Sequence, residues 1–390
     1  MATTFFHRLR RICFWLHLAI GIFAGVILFV VCLTAALFFL AHEAHHHAEE
    51  SAGRVEVGEG LRLSADEILA KVWAHNPEKS PKYMTISSAP DQAVQLNYGW
   101  YQDPVAVNPY TGEIKSTGDL WTFQVAMGLV EIHRNLALPG GGKVWGKYAV
   151  GIATGAMVFL SLSGIWLWWP RHWTWRAFKT GAWFIRGAKG KTRDWNWHNV
   201  FGFWTLLPML VLCVSGIILG YDWATDWTFK LAGDPPPVKK KGRPSANPPP
   251  EFVIAPPESG ASPLVLENAV RTATAAYPEW DSLLLTLPAP QDPPAVLKMT
   301  VLGVGEWLPI YDYAELFVHP YRGEILFTQT FEDINRGGRW KIWMRWLHSG
   351  MAFGFWGELL AALISLAGCV LVWTGFALTW RRFFKKKKTT

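Results

Sequence analysis

Four stretches without a single charged residue, at about 12–41, 148–170, 199–221 and 359–380, constrain this chain more than any other feature. Each is long enough to cross a hydrocarbon core of about 30 Å, which takes about 20 helical residues. In lipid, every backbone polar group must be satisfied within the element itself, so such runs fold as helices. The expected fold class is an α-helical membrane protein with four transmembrane helices.

The first and third runs are copies of one pattern. WLHLAIGIFAGVILFVVCLTAALFFL at 15–40 returns as WHNVFGFWTLLPMLVLCVSGIILGY at 197–221. In both, a His follows a Trp within two residues (His17, His198). A Gly lies four residues after each His (Gly21, Gly202) and a Cys fifteen after it (Cys32, Cys213). Matched spacings inside apolar runs point to duplication. The rest of the chain obeys it: VNPYTGEI at 107–114 returns as VHPYRGEI at 318–325. Each is followed by a second His, in EIHRNL (His133) and RWLHSG (His348), and then by a Trp-Gly pair that opens the next apolar run. The organisation is His-bearing helix, outer module, His, helix, twice over.

Charge sets the orientation. Arg8, Arg10 and Arg11 precede the first run. Arg171, Arg176, Lys179, Arg186, Lys189, Lys191 and Arg193 crowd the loop 171–197, and Arg381, Arg382 and Lys385 to Lys388 close the chain. Segment 41–145 carries 13 Asp/Glu against 8 Lys/Arg. The positive-inside rule places both termini and the 171–197 loop in the cytoplasm. The net charge of +7 follows from this bias and from attraction to anionic lipid, without recourse to nucleic acid. The first run, with its basic lead, resembles a signal peptide, but its apolar part far exceeds the roughly 7–15 residues of a secretory core.

The expected divisions are a first span at 12–41, an outer module at 42–119, a membrane-proximal segment with His133 at 120–145, and a second span at 146–170. After the basic loop 171–197 come a third span at 198–221, an outer linker and module at 222–338, a segment with His348 at 339–356, a fourth span at 357–380 and a basic tail at 381–390. The outer modules read as α+β. In the first, a capping box at Ser64 and Glu67 leads a helical pattern to Trp73, with strand-like runs near 83–88, 92–98 and 104–108. In the second, a Pro-rich linker at 234–258 precedes Ser262 and Pro263 as N-cap and first residue of a helix to about Ala276. Strands follow near 282–287, 296–302 and 313–318. The tract with His42, His45, His46 and His47 reads as a flexible polar segment with some capacity for iron or zinc.

Two-fold pseudo-symmetry pairs His17 with His198 near the cytoplasmic face and His133 with His348 near the outer face. Ionisable residues in membrane spans are usually functional. Two imidazoles are too few for zinc, which takes four ligands, but they suit a heme iron whose remaining ligands come from the macrocycle. The alternative is a set of cross-helix hydrogen bonds; four histidines at duplicated positions favour ligation over it. A proton relay normally recruits carboxylates, and the four runs have none. Four Cys (Cys13, Cys32, Cys213, Cys369) without CxxC or CxxCH argue against disulfides and against covalent heme attachment. Arg134 and Arg345 stand beside the outer histidines and can pair with heme propionates or simply face solvent. No phosphate-binding loop, HExxH or GxSxG is present.

The WLHLAIG and WHNVFG helix starts, the paired VNPYTGEI and VHPYRGEI segments, and the IHRNL and WLHSG returns resemble the PepSY-associated transmembrane family of iron-regulated membrane proteins. The resemblance spans nearly the whole chain. It implies periplasmic PepSY-like modules, each a helix on a small antiparallel sheet. It also implies two non-covalent b-type hemes with bis-His ligation by His17/His198 and His133/His348, in the bacterial inner membrane. The implied activity is reduction of ferric siderophores in the periplasm; the electron donor, cytoplasmic or quinol, stays open. Two other roles stay open: a non-enzymatic accessory or sensor of iron uptake, and a membrane cytochrome serving another acceptor such as quinone. LHSG departs from IHRN, so Arg134 has no counterpart in the second half.

Overall fold

A computed structural model describes residues 2–99, 104–116, 120–170, 172–237, 250, 252, 254, 265–287, 296–306 and 308–384. In chain order the elements are α1 (Ala2–Gly53), α2 (Ala65–His75), β1 (Tyr83–Ser87), β2 (Val94–Asn97), β3 (Val105–Val107), β4 (Ile114–Ser116), α3 (Leu120–Asn135), α4 (Gly142–Trp168), α5 (Trp175–Ala182), α6 (Gly190–Gly220) and α7 (Asp222–Ala232). Then follow α8 (Leu266–Ala276), β5 (Ser282–Thr286), β6 (Leu297–Leu302), β7 (Tyr313–Val318), β8 (Ile325–Thr330), α9 (Arg336–Ser349) and α10 (Gly354–Phe383). Arg171, Lys385 to Lys388, Ser262, Pro263 and most of 234–258 lie outside the described residues.

The chain divides into two units. One comprises Met1–Ala41, Val125–Thr228 and Trp343–Thr390; the other comprises His42–Gln124 and Phe229–Ile342. The first unit is helical. Among the described residues four helices are long and apolar enough to cross a membrane: Phe5–Gly53, Gly142–Trp168, Gly190–Gly220 and Met351–Phe383. They pack around Leu28, Ala153, Met157, Met209, Cys213 and Ile364. Small residues let backbones approach, as is usual between helices in lipid. The Trp-Gly pairs now have a physical reason. A Cβ on Gly146 would overlap the Asn135 carbonyl at the end of α3, and one on Gly357 would overlap the Gly350 carbonyl just after α9. Each pair thus seats a spanning helix against the end of the helix that carries His133 or His348.

The second unit is α+β. Among the described residues eight strands form one antiparallel sheet in the order β4-β3-β2-β1-β5-β6-β7-β8. The two repeats do not build separate sheets: their first strands pair, with Tyr83 opposite Thr286 and Ser87 opposite Ser282. Each repeat supplies one helix to the core. In α2 the buried residues are Ala65, Ile68, Leu69 and Val72; in α8 they are Leu266, Ala269, Val270 and Ala273. This is the same i, i+3, i+4, i+7 stripe, and both stripes pack on Met84, Leu96, Leu285, Met299 and Leu316 of the sheet.

The helix N-termini cap each other. Asp66 accepts from the backbone N–H of Leu266 and of Glu267, both at 2.9 Å. Glu267 returns the contact by accepting from the Ala65 N–H at 3.0 Å. Helix α8 is described from Leu266, with Val265 at its N-cap and no side-chain cap of its own, and Asp66 from the other repeat satisfies its first N–H groups. The capping box of α2 at Ser64 and Glu67 is present.

The repeated octapeptide is a hairpin turn. Asn108 Oδ1 accepts from the N–H of Tyr110 (2.8 Å) and Thr111 (3.3 Å). His319 Nδ1 does the same for Tyr321 and Arg322, both at 3.2 Å. Gly112 (φ 73°) and Gly323 (φ 71°) take the left-handed conformation that closes each turn.

The His42–His47 tract is a correction to the expected flexible segment. It is helical, continuing α1 to Gly53. Ala and Glu are good helix formers, no Gly or Pro intervenes before Gly53, and extending a helix already nucleated by an apolar run costs little. His45 is engaged on both nitrogens, by Thr122 Oγ1 (3.2 Å) and Glu49 (3.4 Å).

Candidate heme sites in the helical unit

The helical unit sets the four duplicated histidines in two pairs. The rings of His17 on α1 and His198 on α6 have centres 6.3 Å apart. Those of His133 on α3 and His348 on α9 are 6.2 Å apart. No third His, Cys, Asp or Glu atom joins either pair at ligand distance among the described residues.

The surroundings fix which nitrogen of each ring is free. His133 Nδ1 lies 3.0 Å from the Val31 carbonyl, and His348 Nδ1 lies 2.9 Å from the Leu212 carbonyl. A carbonyl only accepts, so both rings carry their proton on Nδ1. His17 Nδ1 meets Ser163 Oγ at 2.8 Å, and His198 Nδ1 meets Thr374 Oγ1 at 2.9 Å. Those hydroxyls have already donated, Ser163 to the Leu160 carbonyl at 3.2 Å and Thr374 to the Val370 carbonyl at 2.7 Å. They therefore accept from the imidazole N–H. With Nδ1 hydrogen-bonded in all four rings, Nε2 is the nitrogen left to ligate a metal, the arrangement by which outer hydrogen bonds orient metal-ligating histidines.

Pair spacing tests the fit. An imidazole nitrogen binds a transition metal at about 2.0–2.1 Å, and the ring centre lies roughly 1.1 Å behind that nitrogen. Two imidazoles on opposite sides of one ion therefore have centres about 6.2 Å apart, the spacing seen in both pairs. With only two protein donors each, the pairs suit an iron whose other positions are filled by a macrocycle.

The hydroxyl partners escaped the sequence reading. Thr34 and Ser215 each lie seventeen residues after His17 and His198, and Ser163 and Thr374 each lie seventeen after Gly146 and Gly357. Thr34 Oγ1 stands 3.4 Å from His133 Nδ1, and Ser215 Oγ 3.0 Å from His348 Nδ1. A small residue follows each hydroxyl. A Cβ on Gly164, Gly375 or Gly216 would meet Cε1 of His17 (3.6 Å), His198 (3.7 Å) or His348 (3.0 Å). Extending the repeat comparison from His, Gly and Cys to Ser and Thr would have found this set.

A second missed group lies just before His198. Asp194 is fully buried. Its Oδ1 accepts from Arg193 at 2.8 Å and its Oδ2 from Arg381 Nε at 2.9 Å. Asn196, also fully buried, accepts from the Ile185 N–H at 2.9 Å and donates to the carbonyls of Thr180 (3.1 Å) and Trp183 (2.9 Å). It ties the basic loop to the turn of α6 that carries His198.

Arg134, next to His133, and Arg345, one turn before His348, are both exposed. The departure of LHSG from IHRN is one of helix ending. Helix α9 stops at Ser349 with Gly350 at φ 83°, whereas α3 runs to Asn135 and turns through Leu136 (φ 58°) and Ala137 (φ 51°).

No curated protein matches the chain. Residues 14–382 match the family described as the PepSY-associated TM region, and the chain belongs to that family.

Proposed function

We propose that this PepSY-associated membrane protein is a diheme ferric-chelate reductase of the bacterial inner membrane, with both termini cytoplasmic. In this reading one b-type heme is held by His17 and His198 and another by His133 and His348. The supporting observation is the geometry of the two pairs: ring centres 6.3 and 6.2 Å apart, with every Nδ1 proton committed elsewhere. When bound, low-spin bis-His heme supplies one-electron transfer rather than oxygen binding.

The chain's own residues do the positioning. Ser163 and Thr374 orient the cytoplasmic-side rings; Val31, Leu212, Thr34 and Ser215 orient the outer ones. Gly164, Gly216 and Gly375 keep side-chain atoms off Cε1 of His17, His348 and His198. Arg134 and Arg345, exposed near the outer pair, offer guanidinium groups to propionates. The substrate is a ferric siderophore on the periplasmic side. Each ferric ion gains one electron, and the softer ferrous ion is held less tightly by hard oxygen donors, so iron is released.

The test is direct. Detergent-purified protein, reduced anaerobically and freed of reductant, is mixed with ferric siderophores, quinones and a ferric chelator of low affinity. Reoxidation of the heme bands with matching ferrous release supports the reading. Reduced bands indifferent to every ferric chelate overturn the substrate assignment.

A further inference from the structure

Beside the cytoplasmic histidine pair, α1 and α10 border a groove of about 950 Å³, lined by Ile22, Trp373, Phe376, Ala377, Trp380 and Arg381 among others. Its size is within the roughly 300–1,000 Å³ of small-molecule sites. Trp373, Phe376 and Trp380 are 45%, 36% and 64% exposed, and on a spanning helix such surface meets lipid. The groove is thus entered from the bilayer.

Its position relative to the histidines is close. Ile22 stands five residues after His17 on α1, about 7–8 Å along the helix axis. Trp373 immediately precedes Thr374, whose hydroxyl receives the His198 N–H at 2.9 Å. The Trp373 ring also lies 6.3 Å from that of Trp197, the residue before His198.

The polar end is pre-set. Arg381 donates through Nε to buried Asp194, whose other oxygen is held by Arg193. The two terminal nitrogens of Arg381 have no hydrogen-bond partner among the described residues. A guanidinium anchored through Nε is a rigid donor for oxygen acceptors on a planar ligand.

We propose that this groove binds a membrane quinol and that the quinol is the electron donor to the cytoplasmic-side heme; the inference rests on the reductase reading above. Aromatic walls open to lipid suit a flat lipophilic ring with an isoprenoid tail. The fixed Arg381 suits a ring oxygen, and the adjacent His198 suits electron exchange. Oxidation of one quinol to quinone yields two electrons, taken up one at a time by ferric heme iron at the His17/His198 pair. Its two protons pass to cytoplasmic water at the Arg381 end. Two ferric siderophores are reduced per quinol.

The experiment uses the full chain in nanodiscs of defined, quinone-free phospholipid. Decylubiquinone binding is followed by quenching of Trp fluorescence, and decylubiquinol-driven heme reduction by stopped-flow absorbance. Ala377→Trp and Ile22→Trp fill the groove from opposite walls, with helical circular dichroism and elution volume confirming their fold. The expected result is saturable quenching in wild type, weakened roughly tenfold or more in either variant. Quinol-driven reduction slows in parallel, while reduction by dithionite is unchanged. Quenching that is identical in wild type and both folded variants, or never saturates, shows only partition into lipid and overturns the site. A heme-free protein that still binds quinone in a groove-dependent way keeps the site and removes the reductase reading. A heme-loaded protein without saturable binding does the reverse.

Discussion

Ser163 and Ser215 both touch a histidine Nδ1, yet their removal should have unequal consequences. Ser163 is the one hydrogen-bond partner of His17 Nδ1 among the described residues, at 2.8 Å. Ser215 shares His348 Nδ1 with the Leu212 carbonyl, which stands 2.9 Å away and cannot be mutated off. Ser163→Ala therefore leaves an N–H unpaired within the membrane, a loss of about 1–3 kcal/mol. At about 1.4 kcal/mol per decade, that is roughly 5- to 150-fold. Outer partners of metal-bound histidines are typically worth about 10–100-fold in metal affinity. Ser215→Ala keeps the carbonyl bond, so its effect should stay below about fivefold, within the ~1 kcal/mol of one neutral hydrogen bond. The assay is heme dissociation from each purified variant to excess apomyoglobin, followed spectrally, with the pyridine hemochrome giving initial occupancy. Faster loss of one heme from Ser163→Ala, with Ser215→Ala near wild type, is the expected outcome. Equal loss from both, or a larger loss from Ser215→Ala, would refute the assignment of these hydroxyls as unequal orienting partners.

Three further outcomes follow from the packing. Gly146→Val and Gly357→Val should each displace the end of the preceding His-bearing helix, lowering heme content at the His133/His348 pair by spectrophotometric count while that of the His17/His198 pair persists. Asp66→Ala removes the acceptor for two N–H groups of α8 and should destabilise the α+β unit by about 1–2 kcal/mol, read as a lowered melting temperature; Asp66→Asn should recover part of it. The backbone N–H and hydroxyl of Ser64 hold the Glu67 carboxyl below its usual range, and those of Thr330 do the same for Asp333. Both contributions are present above the unfolded carboxylate range and are lost as pH falls below about 4. Acid unfolding followed by circular dichroism should therefore shift to higher pH in Ser64→Ala.

How much of this was legible in the sequence depended on how local each signal is. Long uncharged runs, matched His spacings and the repeated octapeptide announce themselves within a few residues. They gave the four apolar helices, the two repeats and the histidines that the fold sets face to face. The single sheet was not legible, because the pairing of Tyr83 with Thr286 joins strands some two hundred residues apart and leaves no local trace. The same holds for Asp66 and Glu267, whose capping partners lie in the other repeat. The hydroxyl set was hidden for a different reason. An isolated Ser or Thr in an apolar run is ordinary, since its hydroxyl can bond back to its own helix; only its recurrence at the same distance in both halves marks it. The His42–His47 tract is polar, and polarity alone does not separate a loop from a helix; a run of His, Glu and Ala extends one already formed.

The central claim is that each histidine pair holds one heme. It is tested most directly by oxidised and dithionite-reduced absorption spectra of the detergent-purified protein, with a pyridine hemochrome count, in wild type and in the His17→Ala, His198→Ala, His133→Ala and His348→Ala variants. The account predicts about two b-type hemes per chain with low-spin bands. One heme should be lost in common by His17→Ala and His198→Ala, and the other by His133→Ala and His348→Ala. A colourless protein, or variants that keep both hemes, would contradict it.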